Sequence, residues 1–166
     1  MSLAGAAQAK VFLTVDEALR LAFPGAEVER RTSYLTQAQR ARAEELGGVD
    51  VPSRLVYRYD ATASGRAAGT AYFDTHRVRT LPETVMVVLD AAGRVRRVEV
   101  LSFDEPPDYL PGGAWYGQFA GRGLDRRLAL ERDIRPITGA TLTARATTAA
   151  VRRVLAVHRV LRESAE

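Results

Sequence analysis

A hydroxyl-rich hexapeptide is the part of the sequence best suited to chemistry. Residues 138–143 read Thr-Gly-Ala-Thr-Leu-Thr and lead into an apolar helical pattern. A helix start offers free amides and the positive end of the dipole, so it binds anions. Arg135 and Arg145 flank this start, where an empty site would usually carry acidic residues. The segment indicates a phosphate site; a threonine-capped helix with solvated arginines is the alternative.

A second polar cluster lies between residues 73 and 83. Asp74, Thr75 and His76 could hydrogen-bond a ligand or hold a proton, and Arg77 and Arg79 could meet a phosphate. The alternative is a solvated loop between two strands. The segment is therefore a candidate second part of a binding site.

Composition excludes several classes of protein. The 166 residues include no cysteine and two histidines, which argues against disulfide scaffolds, iron–sulfur clusters and thiolate or histidine-rich metal sites. The net charge of +4 permits anionic partners without choosing among them. No nucleic-acid-binding motif is present, so no nucleic-acid partner is predicted. No arrangement typical of an acid/base pair or a nucleophile is visible, so we assign no catalytic and no metal residues.

The N-terminus predicts a compartment. The sequence has no apolar run of about 18 residues, so no transmembrane segment is predicted. Ala7-Gln8-Ala9 has the small-x-small pattern of a signal-peptidase site. We interpret residues 1–10 as a disordered remnant of an export signal, which predicts a periplasmic or other extracytoplasmic protein. A disordered, alanine-rich start is the alternative.

Three helices are predicted. Thr14 and Thr36 each begin a capping box, in which a threonine hydroxyl and a Glu or Gln side chain satisfy the first amides. Pro24-Gly25 and Gly47-Gly48 end these two helices. From residue 142 to residue 162 an apolar stripe recurs at helical spacing and includes His158, which is predicted to be a core histidine.

Strands are predicted at residues 55–59, 67–73, 84–89 and 94–101. The continuous apolar run at 84–89 indicates a central buried strand, and it forms a hairpin with 94–101 that has a bulge near Arg97. Residues 103–123 are predicted to be a functional loop rich in Pro, Gly and aromatics. The fold class is α+β: a single domain over residues 11–163 with a twisted antiparallel sheet, packed by N-terminal helices and a long C-terminal helix.

Several motifs resemble one known family. The segment Thr138-Gly139-Ala140-Thr141-Leu142-Thr143, followed by an apolar helix, resembles the flavin-attachment motif of the FMN-binding domain family. Upstream, Glu105-Pro106-Pro107-Asp108-Tyr109, then Trp115 and Gln118-Phe119-Ala120-Gly121, resemble the loop that precedes this motif. The family includes flavin-bearing subunits of membrane redox complexes.

The resemblance implies FMN as the cofactor and a set of residues that bind it. Thr141 is the implied site of a phosphoester to FMN, with Thr143 as the fallback, and Arg145 would pair with the phosphate. Tyr109, Trp115 and Tyr116 are the candidates for covering the ring, and Trp115 is the first choice. The full set of expected cofactor-binding residues is Thr138, Gly139, Ala140, Thr141, Leu142, Thr143, Arg145, Glu105, Tyr109, Trp115 and His76.

The sequence departs from the family pattern at two places. Arg135 stands where relatives modified by a flavin transferase usually carry an acidic residue, so tight noncovalent FMN and an empty site stay open beside the ester. Asp108 and Tyr109 replace the usual Gly and Leu of the loop, which implies altered packing over the flavin.

The functional expectation is an exported FMN-binding electron-transfer module rather than an independent enzyme. Its expected partners are a membrane redox complex or another electron-transfer protein, and a flavin transferase that attaches the cofactor. The alternative is a non-redox sensory or interaction domain that has kept the fold and lost functional flavin.

Overall fold

The computed structural model describes residues 10–166, so the leader predicted at residues 1–10 lies outside it except for Lys10. The described chain forms one six-stranded antiparallel sheet in the order β1-β6-β5-β4-β3-β2. The strands are β1 (Lys10–Val11), β2 (Glu27–Tyr34), β3 (Leu55–Ala63), β4 (Arg66–Arg77), β5 (Pro82–Leu89) and β6 (Val95–Phe103). The helices are α1 (Val15–Ala22), α2 (Gln37–Gly47), α3 (Gly113–Tyr116) and α4 (Thr141–Glu163), with 3₁₀ turns at Pro107–Tyr109 and Gly117–Phe119. The predicted α+β class is confirmed.

Both predicted capping boxes are present. The Thr14 hydroxyl accepts from the Glu17 amide at 3.2 Å, and the Glu17 carboxylate accepts from the Thr14 amide at 2.8 Å. Thr36 and Gln39 make the same reciprocal pair at the start of α2. Gly48 ends α2 in the left-handed conformation, with φ of 63°.

The sheet is covered on both faces. Helix α1 packs against one face, where Leu19 and Phe23 meet Met86 and Val88. On the other face α4 packs with Val151, Val154 and Leu155, together with the aromatic residues of α3 and its neighbouring turn. Helix α2 packs along the C-terminal half of α4. Because β5 is buried on both sides, its side chains read as a continuous apolar run.

Strand β2 was not predicted, because its residues Glu27–Tyr34 do not alternate between apolar and polar. It is an edge strand that pairs with β3 over eight residues and carries charges on both faces. The predicted bulge in the β5–β6 hairpin is present one residue away from Arg97. Val88 pairs with Arg97 and Leu89 with Val95, so Arg96 is the extra residue.

The prediction of a continuous loop over residues 103–123 was wrong in part. Phe103 ends β6, and the segment contains α3 and both 3₁₀ turns. Three aromatic side chains of this segment pack in the core: Trp115, Tyr116 and Phe119. They make edge-to-face contacts, and the centre of the Trp115 ring lies 5.1 Å from that of Tyr116 and 5.3 Å from that of Phe119. The helical elements of this segment are only three or four residues long. The backbone is ordered by burial of the aromatic rings and not by strand pairing.

Candidate functional site

The start of α4 lacks a side-chain cap. Ala140 occupies the N-cap position, no side chain from residues 10–166 caps the first amides, and no acidic residue lies in the first turn. By contrast, α1 has Asp16 and Glu17 in its first turn. The free amides and the helix dipole of α4 therefore remain available to an anion.

Structure separates the two threonines considered for attachment. The Thr141 side chain is exposed, and its hydroxyl makes only a long contact of 3.4 Å to the Ile137 carbonyl oxygen. Thr143 is fully buried, and its hydroxyl donates to the Tyr109 carbonyl oxygen at 2.5 Å. A ligand can reach Thr141 from solvent, whereas Thr143 ties α4 to the preceding loop.

The rest of the hexapeptide shapes the exposed turn. Gly139 has φ of 84°, a conformation that favours glycine, and it turns the chain into the helix. Thr138 and Arg145 are exposed, Leu142 is 46% exposed, and Ala140 is buried. Arg145 is the fifth residue of α4, one position past the first turn, and its exposed side chain is available to an anion.

Loop 78–81 lies beside this helix start and is held by a single carboxylate. The buried Glu105 side chain accepts from the amides of Arg79, Thr80 and Leu81 at 2.7–3.0 Å. The hydrogen bonds from the Leu81 and Thr80 amides lower the pKa of Glu105. Glu105 thus holds the loop in place, and its Oε1 atom is fully engaged in doing so.

Tyr109 and Arg79 form a half-exposed pair at the same place. The Arg79 guanidinium lies 4.6 Å from the centre of the Tyr109 ring. The Thr143 hydroxyl contacts the Tyr109 carbonyl oxygen, so this pair is joined directly to the first turn of α4. Tyr109 and Arg79 are therefore joined to α4 through Thr143, two residues after the exposed Thr141.

Trp115 and Tyr116 lie in the core. The Trp115 indole donates to the Arg135 carbonyl oxygen at 2.7 Å, and its side chain is 7% exposed. Tyr116 is 8% exposed, and its hydroxyl has no hydrogen-bond partner in the described part of the chain. Of the three aromatic residues expected to cover a flavin ring, Tyr109 alone has an accessible face in this conformation. Trp115 and the Gln118 amide instead brace the backbone at Arg135.

His76 belongs to a buried ionic chain between the sheet and α4. Its Nδ1 lies 2.9 Å from Asp74 Oδ1, and its Nε2 lies 2.8 Å from Glu83 Oε2. Asp74 is bound in turn by Arg153 at 2.8 and 3.0 Å, and Glu83 accepts from the Thr147 hydroxyl at 3.2 Å. Two carboxylates can both be satisfied only if both ring nitrogens donate, so His76 is an imidazolium ion.

Hydrogen bonds and neighbouring charges determine the pKa values of His76 and Asp74. Burial works against the charged imidazole, but the hydrogen bonds to Asp74 and Glu83 outweigh it and raise the pKa of His76 to about 9. Burial likewise opposes ionisation of Asp74, and the contacts with His76 and Arg153 outweigh it and lower its pKa. Glu83 Oε1 has no partner although the residue is fully buried.

Three members of this chain were not predicted from the sequence: Glu83, Thr147 and Arg153. Glu83 ends a polar segment, and Thr147 and Arg153 lie on the last helix, where the sequence analysis assigned only an apolar stripe. The position of Glu83 in the sequence could have indicated its role. A polar residue near the start of a buried strand must find a hydrogen-bond or ionic partner. The solvated loop considered as the alternative for residues 73–83 is wrong for Asp74 and His76, which are strand residues facing α4.

His158 packs as a neutral partner of Tyr72. Its Nδ1 lies 2.9 Å from the Tyr72 hydroxyl, and the two rings meet edge to face. Burial, followed by the charges of Arg162 and Arg58, lowers the pKa of His158 to about 4. The prediction of a packed histidine is confirmed, although the residue is only partly buried.

The residues at the start of α4 fit a flavin mononucleotide. Its phosphate needs free amides and cations, which the uncapped helix start, Arg145 and Arg79 supply. Its planar ring needs an aromatic or apolar surface, which Tyr109 and the exposed Leu142 offer. These features together form a candidate site for a phosphate-bearing cofactor.

Comparison with known proteins narrows the class to one family. Residues 81–156 match the model of the FMN-binding domain family. The matched range includes β5, β6, the aromatic segment and α4 through residue 156. Over these residues the chain is similar to the FMN-binding domain family, and the match indicates FMN as its cofactor. No curated protein and no solved structure matches the chain.

Within residues 10–166, no helix has the length and apolar character needed to cross a membrane.

Proposed function

We propose that this protein is an exported electron-transfer module that holds the FMN phosphate at the start of α4. We further propose that the Thr141 hydroxyl carries the phosphate as an ester. The supporting observation is that Thr141 combines an exposed hydroxyl with an uncapped helix start, inside a range that matches the FMN-binding family.

Each group at the site has a role in this proposal. The first-turn amides of α4 and the Arg145 guanidinium bind the phosphate oxygens, which removes the unfavourable placement of a cation at the positive end of the helix. The accessible face of the Tyr109 ring would contact the flavin, and the Arg79 guanidinium packs against the same tyrosine ring. Glu105 keeps loop 78–81 in the geometry that presents Arg79.

FMN supplies the redox chemistry when bound, since it accepts and donates one or two electrons. No described group is arranged as a nucleophile with its base, so an electron carrier accounts for the site better than an enzyme with its own substrate. The proposed partners are a membrane redox complex or another electron-transfer protein, and a flavin transferase that forms the ester.

Export rests on Ala7-Gln8-Ala9, which lie outside the described residues. Fractionation of cells that make the natural protein tests this part. A yellow, flavin-bearing protein in the extracytoplasmic fraction is expected, and its confinement to the cytoplasm would contradict export.

Co-expression with a flavin transferase followed by intact-mass measurement tests the ester. The wild-type protein should gain the mass of FMN less one water, and Thr141→Val should lose this adduct. Thr62→Val, the same change at an exposed position of β3, should keep it. An adduct that persists in Thr141→Val would refute the assignment to Thr141.

Titration with FMN separates covalent from noncovalent binding. If the protein co-expressed with the transferase is unmodified but binds FMN in the titration, the ester is excluded and the flavin site is retained. Unmodified protein without FMN binding would favour a domain that has lost functional flavin.

A further inference from the structure

The sheet divides at one end between β3 and β4. Pairing of these strands begins at Arg58 with Tyr72, so Leu55–Tyr57 pair only with β2 and Phe73–Arg77 only with β5. The strand edges that face each other across this division have no ladder partner. Such edges are templates for an added segment of extended chain.

A cleft of about 300 Å³ occupies the division. Its walls come from both layers of the fold, with Val15 of α1 on one side and Val154 and Val157 of α4 on the other. The lining is mainly apolar, and the Asp74–Arg153 ion pair lies on it. This volume accommodates one or two apolar side chains and offers polar groups for a backbone.

The face of β2 and β3 beside the cleft is aromatic and basic. Tyr34 is 67% exposed and Tyr57 is 46% exposed. The Arg54 guanidinium lies 4.7 Å from the centre of the Tyr34 ring, and that of Arg30 lies 5.2 Å from the Tyr57 ring. Neither arginine forms an ion pair with any residue from 10 to 166.

Strand alternation keeps carboxylates off this face. Glu27 and Glu29 project to the opposite side of β2 from Arg30. Arg30, Arg54, Tyr34 and Tyr57, which we call the Arg-Tyr face, therefore present positive charge with no carboxylate of β2 or β3 on the same side, and Asp16 of α1, which lines a neighbouring cleft with Arg30, forms no ion pair with it. A partner must bring negative charge to complement it.

The Arg-Tyr face and the cleft lie at the same end of the sheet as the flavin site. Strand β3 begins at Leu55 where its antiparallel neighbour β4 runs toward loop 78–81. That loop carries Arg79 beside Tyr109, and Tyr109 is joined to the α4 start. A protein docked here would approach the flavin end of the molecule.

We propose that this end of the sheet docks an extended acidic segment of a partner protein, with an apolar side chain in the cleft and carboxylates on Arg30 and Arg54. A concave apolar cleft between unpaired strand edges suits a peptide, because a bilayer surface cannot enter it. The inference concerns a partner surface and does not depend on the flavin being bound.

Amide chemical-shift titration of the flavin-free protein tests the docking site. The probe is a blocked peptide of sequence EEVFVEE, and the charge-reversed peptide KKVFVKK is its control. The acidic peptide should shift the signals of Tyr34, Tyr57, Phe73 and Val15, with an affinity that falls as salt is added. Shifts that are absent, or equal for both peptides, would overturn the proposal.

Two variants separate the contribution of the arginines to peptide binding from that of the cleft. Arg30→Glu combined with Arg54→Glu should weaken peptide binding by about tenfold or more, whereas Arg66→Glu with Arg126→Glu makes the same change in net charge elsewhere and should not. Thr75→Trp should obstruct the cleft and weaken binding without altering charge. Circular dichroism checks that each variant is folded, and Ser53→Trp replaces Thr75→Trp if the latter is not.

Two other anionic probes complete the test. Vesicles containing phosphatidylglycerol and a single-stranded oligothymidylate are titrated under the same conditions. Tighter binding of either probe to the Arg-Tyr face than of the peptide would overturn the proposal in favour of a membrane or nucleic-acid surface. Because all titrations use flavin-free protein, their failure is distinct from a failure to bind FMN.

Discussion

At the scale of residues, the two histidines of the chain are held in opposite protonation states. His76 lies between the carboxylates of Asp74 and Glu83, whereas His158 lies beside Tyr72 with arginines nearby. Both side chains are largely removed from water, so burial alone does not explain the difference. Burial lowers the pKa of both rings; the carboxylates beside His76 outweigh this effect, whereas Arg162 and Arg58 add to it at His158.

Nitrogen-15 NMR of the two imidazole rings measures this difference directly. We expect His76 to be doubly protonated at neutral pH with a midpoint of about 9, and His158 to be neutral with a midpoint of about 4. The variant His158→Gln assigns the signals, since the chain has two histidines. A neutral His76 ring at pH 7 would contradict the ionic chain.

At the scale of elements, one glycine determines how β4 passes β5. Gly69 has φ of 141°, and a Cβ atom there would lie 2.4 Å from the Leu89 carbonyl oxygen. It also pairs with Ala61 at the irregularity between β3 and β4. The backbones of β4 and β5 therefore approach each other too closely at Gly69 to leave room for a side chain. This close approach explains why a glycine interrupts the apolar pattern of β4.

Gly69→Ala should lower the free energy of unfolding by on the order of 3 kcal/mol, because left-handed strain and a backbone clash add together. Gly65 is the matched control: its φ is 73°, and an added Cβ meets no atom within 4 Å. Gly65→Ala should therefore cost about 1 kcal/mol from strain alone. Urea denaturation measures both, and equal costs would exclude the predicted clash.

Helix α4 links the two functional features of the molecule. Its first turn presents Thr141, and twelve residues later, roughly 18 Å along the axis, Arg153 lies on the lining of the cleft. Thr147 and Arg153 fasten the helix to the sheet through Glu83 and Asp74. The placement of the flavin end therefore depends on polar contacts as well as on the apolar stripe.

At the scale of the whole molecule, the two histidines predict a stability maximum near pH 6.5. The folded pKa of His76 lies above its unfolded value of 6.5. Its contribution is therefore fully present below pH 6.5 and is lost as the pH rises through about 9. The folded pKa of His158 is depressed, so its contribution is present above pH 6.5 and is lost as the pH falls toward 4.

The free energy of unfolding should fall by roughly 2 to 3 kcal/mol on each side of pH 6.5. We call these two decreases the alkaline limb and the acidic limb. Chemical denaturation across pH measures this, and the variants separate the limbs. His76→Gln should flatten the alkaline limb and lower stability at pH 6.5, because two buried carboxylates lose their partner. His158→Gln should flatten the fall between pH 6.5 and 4.5. Unchanged limbs in both variants would refute these assignments.

The residue patterns alone predicted the features that depend on near neighbours in the chain. Both capping boxes, the buried central strand, the bulge near Arg97 and the long last helix follow from contacts within a few residues. The hexapeptide by itself indicated a phosphate site at a helix start, and FMN followed from its resemblance to the FMN-binding domain family.

Tertiary structure alone decided which polar side chains face inward and which aromatic residues stay exposed. Strand β2, the Glu83–His76–Asp74–Arg153 chain and the division between β3 and β4 join residues distant in sequence. Trp115 and Tyr109 have similar local sequence signals, yet one fills the core and the other faces solvent beside Arg79. Local patterns carry no record of such pairings, because the free energy of burying a charge or a ring depends on partners that only the folded chain brings together.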